Sequence, residues 1–161
     1  MRTLITNGLV VTADGSFEAD VLVVDETIEA VVNRTAGAAE GTLAGLAVDA
    51  TIDAAGKYVV PGGIDVHTHM ELPFGGTVAK DTFETGTKAA AHGGTTTIVD
   101  FAGQTKGRSL REGLDTWHAR AEGKSVLDYG FHMMMADVND ATLAEMDQLV
   151  AEGVPEFKLF T

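Results

Sequence analysis

From Pro61 onward the chain alternates apolar runs of strand length with segments of helix length, and that alternation limits what it can fold into. "GGIDVHTH" (62–69) reads as a buried strand over Gly63–His69, entered through a Pro-Gly-Gly turn. A helix follows over Asp81–His92, opened by Asp81 and stopped by Gly93-Gly94. "TTTIVDFA" (95–102) is the second strand, and Ser109-x-x-Glu112 has the spacing of a capping box opening a helix over Ser109–Gly123. "LDYGFHMMMAD" (127–137) is the third strand, and a last helix over Asp140–Gly153 leads into "EFKLFT". Strands and helices in this order predict βαβ units and a parallel sheet. The α/β pattern fits the first half of a (β/α)8 TIM barrel, which takes about 250 residues to close.

Residues 1–58 have another character, short strands punctuated by turns, and are expected to form part of a small antiparallel β-sandwich preceding the barrel half at 59–161. Asn7-Gly8 is a hairpin signal inside "TLITNGLVVT". Val21–Val24 and Ile28–Val32 read as strands, 34–47 as a loop, and "VDATIDAAGKYVVPG" as a strand pair around Ala55-Gly56.

Bulk properties exclude several functions. A net charge of −13 repels phosphate backbones, which argues against nucleic-acid binding. No apolar stretch approaches the roughly 20 residues that span a bilayer, and "MRTLITNGLVVTADG" lacks the apolar core of a signal peptide, so a cytoplasmic protein is expected. With no cysteine, a metal would have to be held by histidines, carboxylates or a modified side chain.

His67 and His69 supply such donors. On a strand, residues two apart face the same side, so Asp65, His67 and His69 are expected to share a face on which the two imidazoles converge on one metal and Asp65 orients a ligand. A bare His-x-His is a weak motif, and its place at the end of a buried strand is what favours a metal. Lys158, between Phe157 and Leu159, has two readings. It is a strand lysine snorkelling to solvent, or an amine whose charge desolvation disfavours.

"VVPGGIDVHTHMELPFGG" and "DTFETGTKAAAHGGTTTIVDFA", with "DYGFHMMMAD" and "FKLF", closely resemble the hydantoinase/dihydropyrimidinase branch of the cyclic amidohydrolases, in the amidohydrolase superfamily. The resemblance runs over the whole chain and implies a metal-bearing (β/α) barrel that hydrolyses the ring amide of hydantoins or dihydropyrimidines to N-carbamoyl amino acids. It implies two divalent metal ions, zinc in most members, with His67 and His69 on the more buried one and Lys158, as N6-carboxylysine, bridging both. It further implies a small cyclic amide as substrate, a homo-oligomer (dimer or tetramer), and Met70, Leu72 and Phe160 facing the ring substituent; their alternative is ordinary packing.

The family's remaining ligands, two histidines and a catalytic aspartate, have no counterpart before Thr161, so the chain is expected to correspond to the N-terminal portion of such an enzyme, ending at strand four and lacking a complete site. His92, His118 and His132 read as structural or solvent-facing, while Asp100 and Asp137 stand at strand ends that could line the barrel top. Two rivals remain. One is a dihydroorotase- or allantoinase-type enzyme, which the apolar "MELPFGG" loop disfavours; the other is a non-catalytic assembly module, which retention of His67, His69 and Lys158 disfavours.

Overall fold

The computed structural model describes residues 1–34, 43 and 45–159, arranged in two compact units, Met1–Pro61 and Gly62–Thr161. Most of the loop expected over 34–47 lies outside the described residues, as does Phe160. Among the described residues no helix is long and apolar enough to cross a membrane.

The first unit is a five-stranded sheet. β1 (Arg2–Thr12), β2 (Gly15–Val24) and β3 (Thr27–Asn33) run antiparallel in turn, whereas β4 (Ala50–Asp53) and β5 (Tyr58–Val59) both pair parallel with β1. The sheet is therefore mixed and not antiparallel as expected, and two further expectations are corrected here. Asn7-Gly8 makes no hairpin; β1 runs through it with a register shift between Ile5 and Gly8, and the hairpin lies beyond, where Thr12 faces Gly15. Asn7 adopts φ 62°, a left-handed conformation that asparagine tolerates, and donates its side-chain amide to Asp53 at 2.9 Å. Gly8 is required because a Cβ there would lie 2.4 Å from Val59 Cγ2. Nor do the segments flanking Ala55-Gly56 pair with each other. They lie end to end along β1, on Thr3–Thr6 and on Leu9–Val10.

The second unit is a four-stranded parallel sheet in the order β11-β10-β9-β6, each strand added beside the last without reversal. Its strands are β6 (Gly63–Thr68), β9 (Thr95–Gly103), β10 (Asp128–Met135) and β11 (Phe157–Leu159). The segment expected as loop after His69 contains a two-stranded hairpin, β7 (Pro73–Phe74) and β8 (Thr77–Val78). Its turn, Gly75-Gly76, has φ 60° and 80°, the paired positive values that suit a tight hairpin.

The helices are α1 (Phe83–His92), α2 (Leu110–Ala121) and α3 (Asp140–Ala151). Thr82, not Asp81, caps α1, its hydroxyl accepting from Thr85 N–H at 3.2 Å while Thr85 Oγ1 accepts from Thr82 N–H at 3.0 Å. Ser109 caps α2 as its spacing predicts, accepting from Glu112 N–H at 3.0 Å. The helices cover one face of the sheet, where Ile98, Ala102, Phe131, Met133 and Met135 meet Phe83, Leu110, Leu114, Trp117 and Leu149 in a single core. β6 is not the buried strand that its sequence suggests, for Ile64 and Val66 are 65% and 56% exposed. Among the described residues it pairs with β9 alone.

Two glycines set the depth at which α2 seats. A Cβ on Gly113 would lie 2.8 Å from the Gly103 carbonyl oxygen and 2.9 Å from Met133 Cε, and one on Gly103 would lie 3.1 Å from the Trp117 ring. Gly113→Ala is therefore expected to destabilise the fold by about 1–3 kcal/mol through overpacking, although alanine favours a helix by about 1 kcal/mol over glycine. Thermal denaturation checks this; an unchanged or raised midpoint would show that α2 has room to move off β9.

Candidate metal centre

The sheet face away from the helices gathers the candidate ligands. β6 delivers His67 and, one residue past its end, His69; β9 delivers Phe101, β10 His132 and β11 Lys158. The two imidazole rings are 5.1 Å apart and nearly perpendicular. Phe101 forms the floor beneath them, its ring 4.6 Å from His67, 5.1 Å from His69 and 4.8 Å from His132. The Lys158 Nζ lies 4.6 Å from the same ring centroid. Sequence reasoning passed over Phe101, whose contacts come from three other strands.

His132 braces this face. Its Nε2 lies 3.0 Å from the Val66 carbonyl oxygen, spanning β9, and its Nδ1 lies 3.1 Å from Glu156 Oε2. His118 packs edge-on against Phe131, 4.9 Å between centroids, and His92 lies in the last turn of α1. Neither joins the cluster.

Three expectations change. Asp65 pairs with Ile98 and Thr68 with Asp100, so three steps of β6 match two of β9, and this bulge breaks the alternation that would put Asp65 beside the histidines. The Asp65 carboxylate accepts from the His67 backbone N–H at 3.1 Å. Met70 is buried against α1, where a Cβ on Gly86 would meet its Sδ at 2.4 Å. Leu72 does line a cavity of about 410 Å³, together with His69, Phe74, Val78, Met134 and Lys158. The apolar surroundings of Lys158 also differ from those expected. Phe157 and Leu159 alternate to the opposite face, and Phe101 and Met134 meet the amine's side of the strand.

Asp100 does not line the top of the sheet. It is fully buried on the helix side, where Oδ2 accepts from Thr68 Oγ1 at 2.9 Å and Met70 N–H at 2.7 Å, and Oδ1 from Phe101 N–H at 2.7 Å and Trp117 Nε1–H at 3.1 Å. Burial pushes its carboxyl above the usual range while these four bonds hold it down. A carboxylate inside "TTTIVDFA" was the available signal.

His69 is held below the ordinary imidazole range, first by desolvation and then by the like charges of His67 and Lys158, with Asp100 pulling the other way. Its Nδ1 is buried without a hydrogen-bond partner. A neutral imidazole with an unused nitrogen beside a second imidazole fits a divalent metal. The set is partial, since no group of three His, Cys, Asp or Glu among the described residues could hold one.

The second unit is of the α/β class, a singly wound parallel sheet with helices on one face and a histidine pair at the C-terminal end of β6. Residues 58–158 match the profile of the amidohydrolase family, and the chain belongs to that family. A D-hydantoinase of Streptomyces coelicolor is 62% identical over 159 residues, which are 99% of this chain and 33% of that protein. The dihydropyrimidinase of Rattus norvegicus is 46% identical, over 99% of this chain and 30% of its own. The crystal structure of the dihydropyrimidinase from Brevibacillus agri aligns with a TM-score of 0.86 at 49% identity, over 98% of this chain and 32% of that one. The chain thus spans about a third of the length of these relatives.

Because Lys158 adds positive charge near His69, Lys158→Met is expected to raise the His69 titration midpoint toward the ordinary value. Histidine-resolved NMR titration measures it; no movement would leave desolvation and His67 as the causes. The sign for stability follows. With its folded pKa depressed, His69's contribution is present above the ordinary pKa, about 6.5, and is lost as the pH falls toward the folded value.

Proposed function

We propose that this chain is the part of a cyclic amidohydrolase that supplies the first metal ligands, and that the whole protein hydrolyses the ring amide of hydantoins or dihydropyrimidines to N-carbamoyl amino acids. The observation that carries the reading is the convergence of His67, His69 and Lys158 around Phe101 on one face of three parallel strands and their flanks, in a chain 62% identical to a D-hydantoinase. The uninterrupted strand order and one-sided helix layer support reading Gly62–Thr161 as an arc of a (β/α)8 barrel and the first unit as part of a β-sandwich.

In this reading His67 and His69 bind through neutral imidazole nitrogens, the form that the depressed His69 pKa favours. Lys158 joins them after carboxylation. Its neutral amine forms an N–C bond with carbon dioxide and releases a proton, exchanging an ammonium that repels cations for a carbamate that attracts them. Two divalent ions, zinc by family habit, would polarise the amide carbonyl and acidify the attacking water. Leu72, Phe74, Val78 and Met134 beside Lys158 offer apolar surface to a ring substituent, which favours hydantoins over substrates bearing a carboxylate, such as dihydroorotate. For Phe160, outside the described residues, a role facing the ring substituent is proposed from the family resemblance alone. The whole protein is proposed to be a homo-oligomer.

The 161 residues alone are proposed to take up metal weakly and to turn nothing over. Zinc content and hydrolysis of dihydrouracil and 5-substituted hydantoins test this on the chain itself and on a His67→Ala, His69→Ala variant. Zinc uptake lost in the variant, with no turnover in either, is expected; turnover by the chain itself would overturn the incomplete site. Exchanged for the matching third of the S. coelicolor enzyme, the chain is expected to sustain hydantoin hydrolysis, and Lys158→Ala in that context to abolish it. An active Lys158→Ala chimera would remove the lysine from the ligand set.

A further inference from the structure

We infer that Asp100 is a positioning residue for the two histidines: its buried carboxylate fixes the chain on both sides of His69 and, through the next residue, the aromatic floor on which both imidazoles rest. The inference rests on the reading that His67 and His69 bind a metal.

The geometry makes the case. Asp100 has no exposed surface, and an ionised carboxylate is costly to bury unless its oxygens are well satisfied. Two of its four donors bracket His69: Thr68 Oγ1 at 2.9 Å on one side and Met70 N–H at 2.7 Å on the other. The following residue is held as well. Glu71 sits at φ 53°, a left-handed conformation that costs a residue with a Cβ. It is pinned there by its N–H to the Asp81 carbonyl at 2.9 Å and by Arg120 Nη1 donating to its own carbonyl at 3.1 Å. The Arg120 guanidinium in turn lies 4.2 Å from the Trp117 ring, whose Nε1–H is bound to Asp100.

The coupling to the other face is covalent. Asp100 and Phe101 are adjacent on β9, so strand alternation sends one side chain to the helices and the other to the histidines. α2 is thereby linked through Trp117 and Asp100 to Phe101, and the backbone that carries His69 is tied to the strand that carries its floor. Asp100 touches no imidazole in this arrangement. It acts on the Thr68 hydroxyl and the Met70 N–H, either side of His69, and on the Phe101 backbone N–H.

A purely structural carboxylate would also stabilise the fold, so the test compares Asp100→Asn with Leu149→Ala, a cavity in α3 remote from β6 that lowers stability without touching the histidines. In Asp100→Asn an amide nitrogen faces two donors in place of an acceptor. Two quantities are read on the 161-residue chain: zinc affinity by chelator competition, and the ring proton shifts of His67 and His69 in the metal-free protein, which sense the Phe101 ring. Asp100→Asn is expected to weaken zinc binding by about tenfold, the lower end for losses of groups that orient ligands, and to move the ring shifts, while Leu149→Ala leaves both near the parent. Equal zinc loss in the two variants, or ring shifts that stay in place in Asp100→Asn, would overturn the inference. Moved ring shifts with no zinc uptake by the parent would instead overturn the metal reading and leave the positioning role standing. If Asp100→Asn does not fold, Thr68→Val, which removes one of the four bonds, carries the same comparison under the same outcomes.

Discussion

The second unit depends most on one buried carboxylate. Asp100 joins three elements that share no covalent connection near the site: the end of β6 through Thr68 and Met70, its own strand β9, and α2 through Trp117. Hydrogen bonds to a charged group each contribute about 1.5–3 kcal/mol, and leaving such a charge buried and unpaired costs several more. The arrangement is therefore close to all-or-none. The seating of α2 against Gly103 and Gly113 brings Trp117 to the carboxylate, so close helix packing and histidine placement are parts of one constraint.

The parallel sheet has two faces with different tasks. The helix side is mostly apolar, with Ile98, Leu110, Leu114, Met133 and Leu149 at or below 1% exposure, and it supplies the hydrophobic stabilisation. The other side carries three imidazoles and a lysine around one phenyl ring. Desolvation above all, and then the like charges of His67 and Lys158, lower His69's affinity for protons, which favours the neutral nitrogen that a cation needs. Under the proposed metal reading this otherwise unfavourable grouping has a chemical purpose.

Much of this was legible in the sequence, with identifiable failures. The βα alternation and the start of α2 followed from periodicity and from Ser109, because they depend on local backbone chemistry. Asn7-Gly8 misled because a left-handed residue serves a bulge as well as a hairpin, and only the neighbouring strands decide which. Asp65 was misplaced by a bulge between β6 and β9, a register shift that involves two strands. Met70 has the same local character as Leu72, yet one packs on Gly86 and the other lines the cavity beside Lys158.

The sequence by itself determined the βα elements of the second unit and their order, and set His67 and His69 two apart at the end of one strand, since these reside in periodicity and spacing; Lys158 as a donor was implied only by the family resemblance. Tertiary structure alone decided what surrounds those donors. Phe101 lies 32 positions or more from the histidines and 57 from Lys158 in the numbering, and no pattern along the chain reveals that one ring meets all three. The role of Asp100 was hidden for the same reason: a carboxylate in an apolar strand is merely unfavourable until the fold brings it four donors.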